Sequence, residues 1–403
     1  MSFAVSILGL AFLILIHEAG HFFTAIGLRM RPRKFYVGFP PAIAKVRRGG
    51  IEYGVGAIPL GGYVKIPGMH RPAGRDLELH FQRPIEEVPE LAAPVARVTQ
   101  ALESTDWDDA AAALPDLEQR TKDANLSERA RAGADRALND VRDGLATDAY
   151  WRAAPWKRVL VIFAGPATNL VFAIVLFSIL FASGGGAPTS EIDRVVEGSP
   201  AAAIGLRSGD RILAVGDRRV EPERISNAIN ASRGAPVTIR VERAGRTIEL
   251  GPQRPERVEG RYRLGFVLTG EPLSPPAATK EAVNVTWIVT KEIGGSLKNL
   301  VHEEGREQIS SPVGIVEGSS SAARQGSQTY LWVLGLISLS LALLNLLPLL
   351  PLDGGHIFFS LLEWMRGRAV PREVYERFSA IGIALVLMLF FIGLTNDVGR
   401  LGD

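Results

Sequence analysis

The 403-residue chain is long enough for two or three domains, and its 45 basic and 43 acidic residues leave a net charge of only +2. That balance argues against a nucleic-acid partner, which selects a strongly basic face. There is no cysteine, so disulfides, thiol nucleophiles and cysteine-ligated zinc are excluded.

The first element, 1–28, is apolar from Phe3 onward except for one cluster, HEAGH. No basic residue precedes it and no clean small-residue cleavage site follows, so it is expected to stay in the chain as a span. In the region 29–75, the stretch IEYGVGAIPLGGYVKIP (51–67) reads as hairpin strands with a tight turn at Gly61–Gly62. The region 76–158 is rich in Ala, Asp, Glu and Arg, with Leu and Val spaced for amphipathic helices, and reads as a solvated helical insert.

Three more runs, 159–182, 330–352 and 378–394, contain no Asp, Glu, Lys or Arg. A helix needs about 20 apolar residues to cross the hydrocarbon core, and about 17 is near the lower limit. The expected fold is therefore a polytopic α-helical membrane protein whose four transmembrane helices cover 1–28, 159–182, 330–353 and 378–395. Arg29, Arg31, Arg33 and Lys34 follow the first span, Arg152, Lys157 and Arg158 precede the second, and Arg366, Arg368, Arg372 and Arg377 separate the third from the fourth. Positive charge marks the cytoplasmic side, which puts 29–158 and 353–377 inside and both termini and 183–329 outside.

Between the second and third spans, SPAAAIGLRSGDRILAVGDRRV leads into a helical ERISNAINAS and two alternating strands, PVTIRVER and RTIELG. This run resembles a PDZ domain of α/β type over about 188–270, placed within 183–275. Such domains bind an extended peptide or chain terminus at a sheet edge. The Pro-rich segment 271–280 reads as a linker, opening a stretch of linker and amphipathic sequence over 276–329.

Ionisable residues inside a span are costly, so they are functional candidates. On a helix, His17 and His21 share one face, one turn apart, and can reach one zinc ion, with Glu18 beside them to take a proton from water. Catalytic zinc usually has a third protein ligand. The first and third helices run in the same direction, and His17 lies roughly 21 Å along its helix from Phe3. Asp353, the first charge after the third apolar run, falls at a similar depth and is the favoured third ligand, with His356 a weaker alternative. His70, His80 and His302 fall in polar loops and read as surface residues. Pro348 and Pro351 are expected to break the helix close to Asp353.

HEAGH, GPATN in the second span and NLLPLLPLDGG in the third together resemble the site-2 protease family of intramembrane zinc metalloproteases. Within it the likeness is to the bacterial regulator of sigma-E protease group, in a form with a single PDZ domain. PLGGYVKIPG resembles that group's membrane-associated β-hairpin, and SSPVGIVEG (310–318) its segment before the third helix. The resemblance implies one Zn²⁺ held by His17, His21 and Asp353, with Glu18 as catalytic base. It also implies that Asn345 steadies substrate, and the hairpin residues Gly61, Gly62, Tyr63 and Val64 are candidates for binding it. Pro166 and Asn169 read as packing residues. The implied substrates are single-span membrane proteins already trimmed by another protease, such as anti-sigma factors, in a bacterial cytoplasmic membrane. A zinc transporter and a catalytically silent scaffold displaying a PDZ domain are the alternatives. The insert at 76–150 matches nothing in that group.

Overall fold

The computed structural model describes residues 2–258, 261–299 and 310–402. The chain divides into two compact units, one formed by Met1–Val171, Lys298–Ser320 and Ile337–Asp403, the other by Phe172–Leu297 and Ser321–Leu336. Among the described residues, four helices are long and apolar enough to cross a membrane: Ser2–Gly27, Pro155–Gly185, Ser327–Asn345 and Arg372–Gly399. Their side chains supply the length and hydropathy that a bilayer core requires.

In the first unit, α1 (Ser2–Gly27) ends where Arg29 takes a left-handed conformation (φ 65°) and the Met30 N–H returns to the Ala25 carbonyl. The chain then forms β1 (Lys34–Arg48) and β2 (Ile51–Lys65). The turn falls at Gly49–Gly50, both with positive φ, and not at the expected Gly61–Gly62. Two consecutive positive-φ residues match the right-handed twist of a tight hairpin. The register is doubled: Phe35 pairs with both Tyr53 and Val64, and Val37 with both Val55 and Gly62. Residues 34–37 therefore lie between 52–55 and 62–65. Phe22 anchors this sheet to α1 through ring contacts with Phe35 (4.9 Å) and Tyr53 (5.9 Å).

The region after the sheet forms α2 (Gly74–Glu87), α3 (Ala92–Glu103), α4 (Trp107–Asp123) and α5 (Glu128–Leu145). Their apolar faces close on a shared core that includes Leu77, Phe81, Val98, Leu117 and Val141. Asp106 and Ser127 cap α4 and α5 by accepting the backbone N–H groups of Asp109 and Ala130. This bundle grips the sheet. The Arg33 guanidinium forks onto Asp148 (2.9 and 3.0 Å) and bonds Asp143, and Lys65 pairs with Asp143 (3.0 Å) and Asp140 (3.2 Å). The Trp151 indole N–H donates to the Gly144 carbonyl.

Next comes α6 (Pro155–Leu180). The second unit holds β3 (Ala187–Val195), α7 (Pro200–Ala203), β4 (Arg211–Val215), β5 (Arg218–Arg219), α8 (Ile225–Ala231), β6 (Val237–Arg243), β7 (Arg246–Gln253), β8 (Glu256–Val258), β9 (Arg261–Arg263) and β10 (Phe266–Glu271). The main sheet runs β10-β3-β4-β6-β7, antiparallel throughout, around a core of Ile192, Ile212, Ile225, Ile239 and Val241. The expected linker at 271–280 is instead where a long helix, α9 (Pro275–Asn299), begins. Pro275 suits a first helical turn, where its missing N–H costs nothing.

Beyond it lie α10 (Pro312–Gln325), α11 (Ser327–Asn345), α12 (Asp353–Arg366) and α13 (Arg372–Gly402). The expected third helix, 330–353, is interrupted: it stops at Asn345, a turn carrying Pro348 and Pro351 follows, and Asp353 opens a separate helix. A carboxylate in a first turn is favoured there by the exposed N–H groups of the helix end. Buried Asp397 of α13 accepts the Ser311 (2.7 Å) and Gly314 (3.0 Å) N–H groups at the start of α10.

Candidate metal centre

α1 delivers His17, Glu18 and His21, and α12 delivers Asp353. Asp353 Oδ2 lies 3.1 Å from His17 Nε2 and 3.3 Å from His21 Nε2, and the two Nε2 atoms are 3.3 Å apart. One ligand atom from each residue falls within 4.8 Å of the others. Both histidines are buried, and Asp353 Oδ2 is buried with no hydrogen-bond donor among the described residues. An orphaned carboxylate oxygen facing two imidazole nitrogens is costly unless a cation joins them. Two histidines and one carboxylate are a common donor set for catalytic zinc, which leaves a fourth coordination position open. The residues therefore fit the ion. His356, the alternative ligand, is not part of this group.

The second helical layer orients the ligands. His21 Nδ1 lies 2.9 Å from the Val161 carbonyl of α6, an acceptor that fixes the proton on Nδ1 and leaves Nε2 free to bind metal. Gly165, one turn along, has no room for a β-carbon, which would run into the His21 ring. Asn169, fully buried on the same helix, places its Nδ2 3.4 Å from His17 Nδ1, while its Oδ1 has no partner among the described residues. Turning the amide by 180° sets that orphaned oxygen against His17 Nδ1–H and leaves His17 Nε2 for the metal. The two amide orientations differ only in which atom is called nitrogen. Asn169 is thus a ligand-orienting residue as well as the packing residue expected. The signal that finds it is a buried amide in an apolar span, which seldom stands there without a partner.

Glu18 sits beside the sheet. Its carboxylate faces the backbone of Val64 and lies near His17, His21 and Asp353. A β-carbon on Gly62 would come within 2.9 Å of Glu18 Cγ and 2.8 Å of the Tyr36 carbonyl, so only glycine allows this approach. Gly61 precedes it in β2, and Tyr63 stacks on Tyr36 at 5.2 Å. Asn345 lies at the end of α11 and donates to the Leu341 carbonyl of its own helix (3.0 Å). Of the remaining histidines, His70 is exposed, His80 bonds the Asp76 carbonyl, and His302 lies outside the described residues.

The family model described as peptidase family M50 matches residues 5–389. The chain belongs to peptidase family M50, the site-2 proteases. A candidate zinc metalloprotease of Lactococcus lactis is 27% identical over 412 residues, covering 96% of both chains. Metalloprotease MmpA of Caulobacter vibrioides is 28% identical over 422 residues, covering 97% of this chain and 94% of its own. A candidate zinc metalloprotease of Agrobacterium fabrum is 28% identical over 417 residues, 98% of this chain and 95% of its own. This M50 protein is a zinc-dependent protease of a membrane protein family, and its His17, His21 and Asp353 are placed to hold the ion.

Proposed function

We propose that the protein hydrolyses peptide bonds in or next to the membrane span of single-span substrate proteins. The observation that carries this reading is the position of the ligand set: His17 and His21 lie within an apolar helix long enough to cross a membrane. A bound zinc ion supplies Lewis acidity and an acidified water. Glu18 accepts the proton from the attacking water and returns it to the leaving amine.

A helical substrate hides its carbonyls in its own hydrogen bonds and must be unwound before attack, after which its backbone groups need new partners. Residues 62–65 lie beside 34–37, and the Val64 N–H reaches Glu18. We assign Gly61, Gly62, Tyr63 and Val64 as the strand against which unwound substrate aligns, with Asn345 steadying it through its amide. The second unit is read as a single PDZ domain. Its antiparallel sheet and helix α8 support that reading, and it would take a peptide or a newly exposed C-terminus outside the cytoplasm. The arginine-rich flanks of the spans support cytoplasmic placement of the sheet and the helical insert in a bacterial cytoplasmic membrane. Substrates would be regulators such as anti-sigma factors, already trimmed by another protease.

Cleavage of a tagged single-span membrane substrate by wild type and by Glu18→Gln tests the reading, with zinc content measured in both. A loss on the order of 10²- to 10⁴-fold with zinc retained is expected. Equal cleavage by both would overturn it, and zinc binding without any cleavage would favour transport or a scaffold. Deleting 188–270 separates two PDZ roles: widened specificity indicates a filter, and lost activity indicates docking.

A further inference from the structure

His356 points elsewhere. It lines a cavity of about 340 Å³ together with Ser360 and Glu363, which follow it along one face of α12. The other walls are the segment 69–75, the junction of α3 and α4, the first turn of α6 and the start of α13. None of the three metal ligands contributes to it.

Four arginines, Arg71, Arg75, Arg158 and Arg372, line the cavity against two carboxylates, Glu103 and Glu363. Arg158 is more than nine-tenths buried; one guanidinium nitrogen pairs with Glu363 at 2.7 Å, but its Nε is buried with no partner among the described residues. The other oxygen of Glu363 is taken by the Val370 N–H. Arg372 is bound by Asp76 and Glu376. Arg71 lies over the Trp151 ring at 5.1 Å, and neither it nor Arg75 has a carboxylate within ion-pair distance among the described residues. Helix α2 starts here, and its N-cap residue Ala73 offers no side-chain acceptor to the first-turn N–H groups.

We propose that this cavity binds a phosphate-bearing anion, held by Arg71, Arg75, the free Nε of Arg158 and the open end of α2. Donors arrive from three separate elements. That suits a tetrahedral group with several acceptor oxygens better than a planar carboxylate with two. Arg158 and Arg372 belong to the first turns of two candidate spans, which sets the cavity at the level of lipid headgroups. The phosphate belongs either to an anionic lipid or to a soluble compound.

The test uses the full chain with zinc bound. Its thermal unfolding is followed in phosphatidylcholine nanodiscs with increasing phosphatidylglycerol, and in detergent with increasing inorganic pyrophosphate. Arg71→Gln/Arg75→Gln is the test variant, and Arg120→Gln, on the exposed surface of α4, is the control. Saturable stabilisation that weakens at least tenfold in the double variant, with zinc content and the control unchanged, is expected. Response to phosphatidylglycerol alone assigns the site to a headgroup, and saturation by pyrophosphate in detergent assigns it to a soluble phosphate. No saturable response to either, equal affinity in the double variant, or equal weakening in the control overturns the proposal.

Discussion

Two contacts from α6, one backbone carbonyl and one side-chain amide, decide how the histidines of α1 present themselves. Val161 accepts the proton on His21 Nδ1, and Asn169 faces His17 Nδ1. Partners of this kind are worth about 10- to 100-fold in metal affinity. Asn169→Ala is expected to weaken zinc binding by that factor, measured by competition with a chromogenic chelator, and to leave the folded helix content unchanged. Gly165→Ala is expected to cost more, because the added carbon displaces the His21 ring itself. The spacing of His17, Glu18 and His21 was legible in the sequence because an i, i+4 pair shares one helix face without help from the rest of the fold. The contacts of Val161 and Asn169 were not, since each joins residues 140 or more positions apart. A propensity or a motif carries no trace of such a pairing.

Among the elements, the doubled sheet and the bundle that grips it act together. The pairs Arg33–Asp148 and Lys65–Asp143 clamp the base of the strand whose Val64 N–H meets Glu18. Arg33→Asp is expected to lower stability by about 1–2 kcal/mol, given that the pair is only partly buried and bidentate. Combining it with Asp148→Arg should recover part of the loss, as read in a double-mutant cycle. Val64→Pro removes the N–H that faces Glu18; slower cleavage at unchanged zinc content is expected. Both Gly-Gly pairs of this region look alike in sequence, yet only Gly49–Gly50 makes the turn. Gly62 is required by the close approach of Glu18 and Tyr36, which depends on how α1 packs on the sheet. The amphipathic helices of the insert were visible as apolar spacing, but their hold on the sheet rests on charges such as Arg33 and Asp148, 115 residues apart.

At the scale of the whole molecule, each unit has its own core, so independent unfolding transitions are expected. In the second unit Asp210 is buried and paired with Arg243 at 2.6 Å. Burial alone would raise the carboxyl; the Arg243 guanidinium and the Arg207 N–H more than offset this and hold it below the usual aspartate range. A depressed folded-state value means that the pair stabilises fully above about pH 4 and loses its contribution as pH falls further. Scanning calorimetry of the full chain should show that transition weakening in acid. Asp210→Ala, which strands a guanidinium, should lower its stability by about 3 kcal/mol at neutral pH. Alternating apolar residues exposed this sheet in the sequence, and four uncharged runs exposed the spans. The break between Asn345 and Asp353 was foreseeable from two prolines; that the chain then starts a new helix was not.

The break has a mechanical consequence. His21 stands near one end of the chain and Asp353 near the other, on separate helices with a non-helical turn before the second. A single ion bridging them acts as a removable rivet, closing nearly the full contour of the polypeptide at one point. Stripping it with a chelator should free the start of α12, raise protease sensitivity at 346–352 and lower the melting temperature of the first unit. The transition of the sheet-bearing second unit should stay where it was.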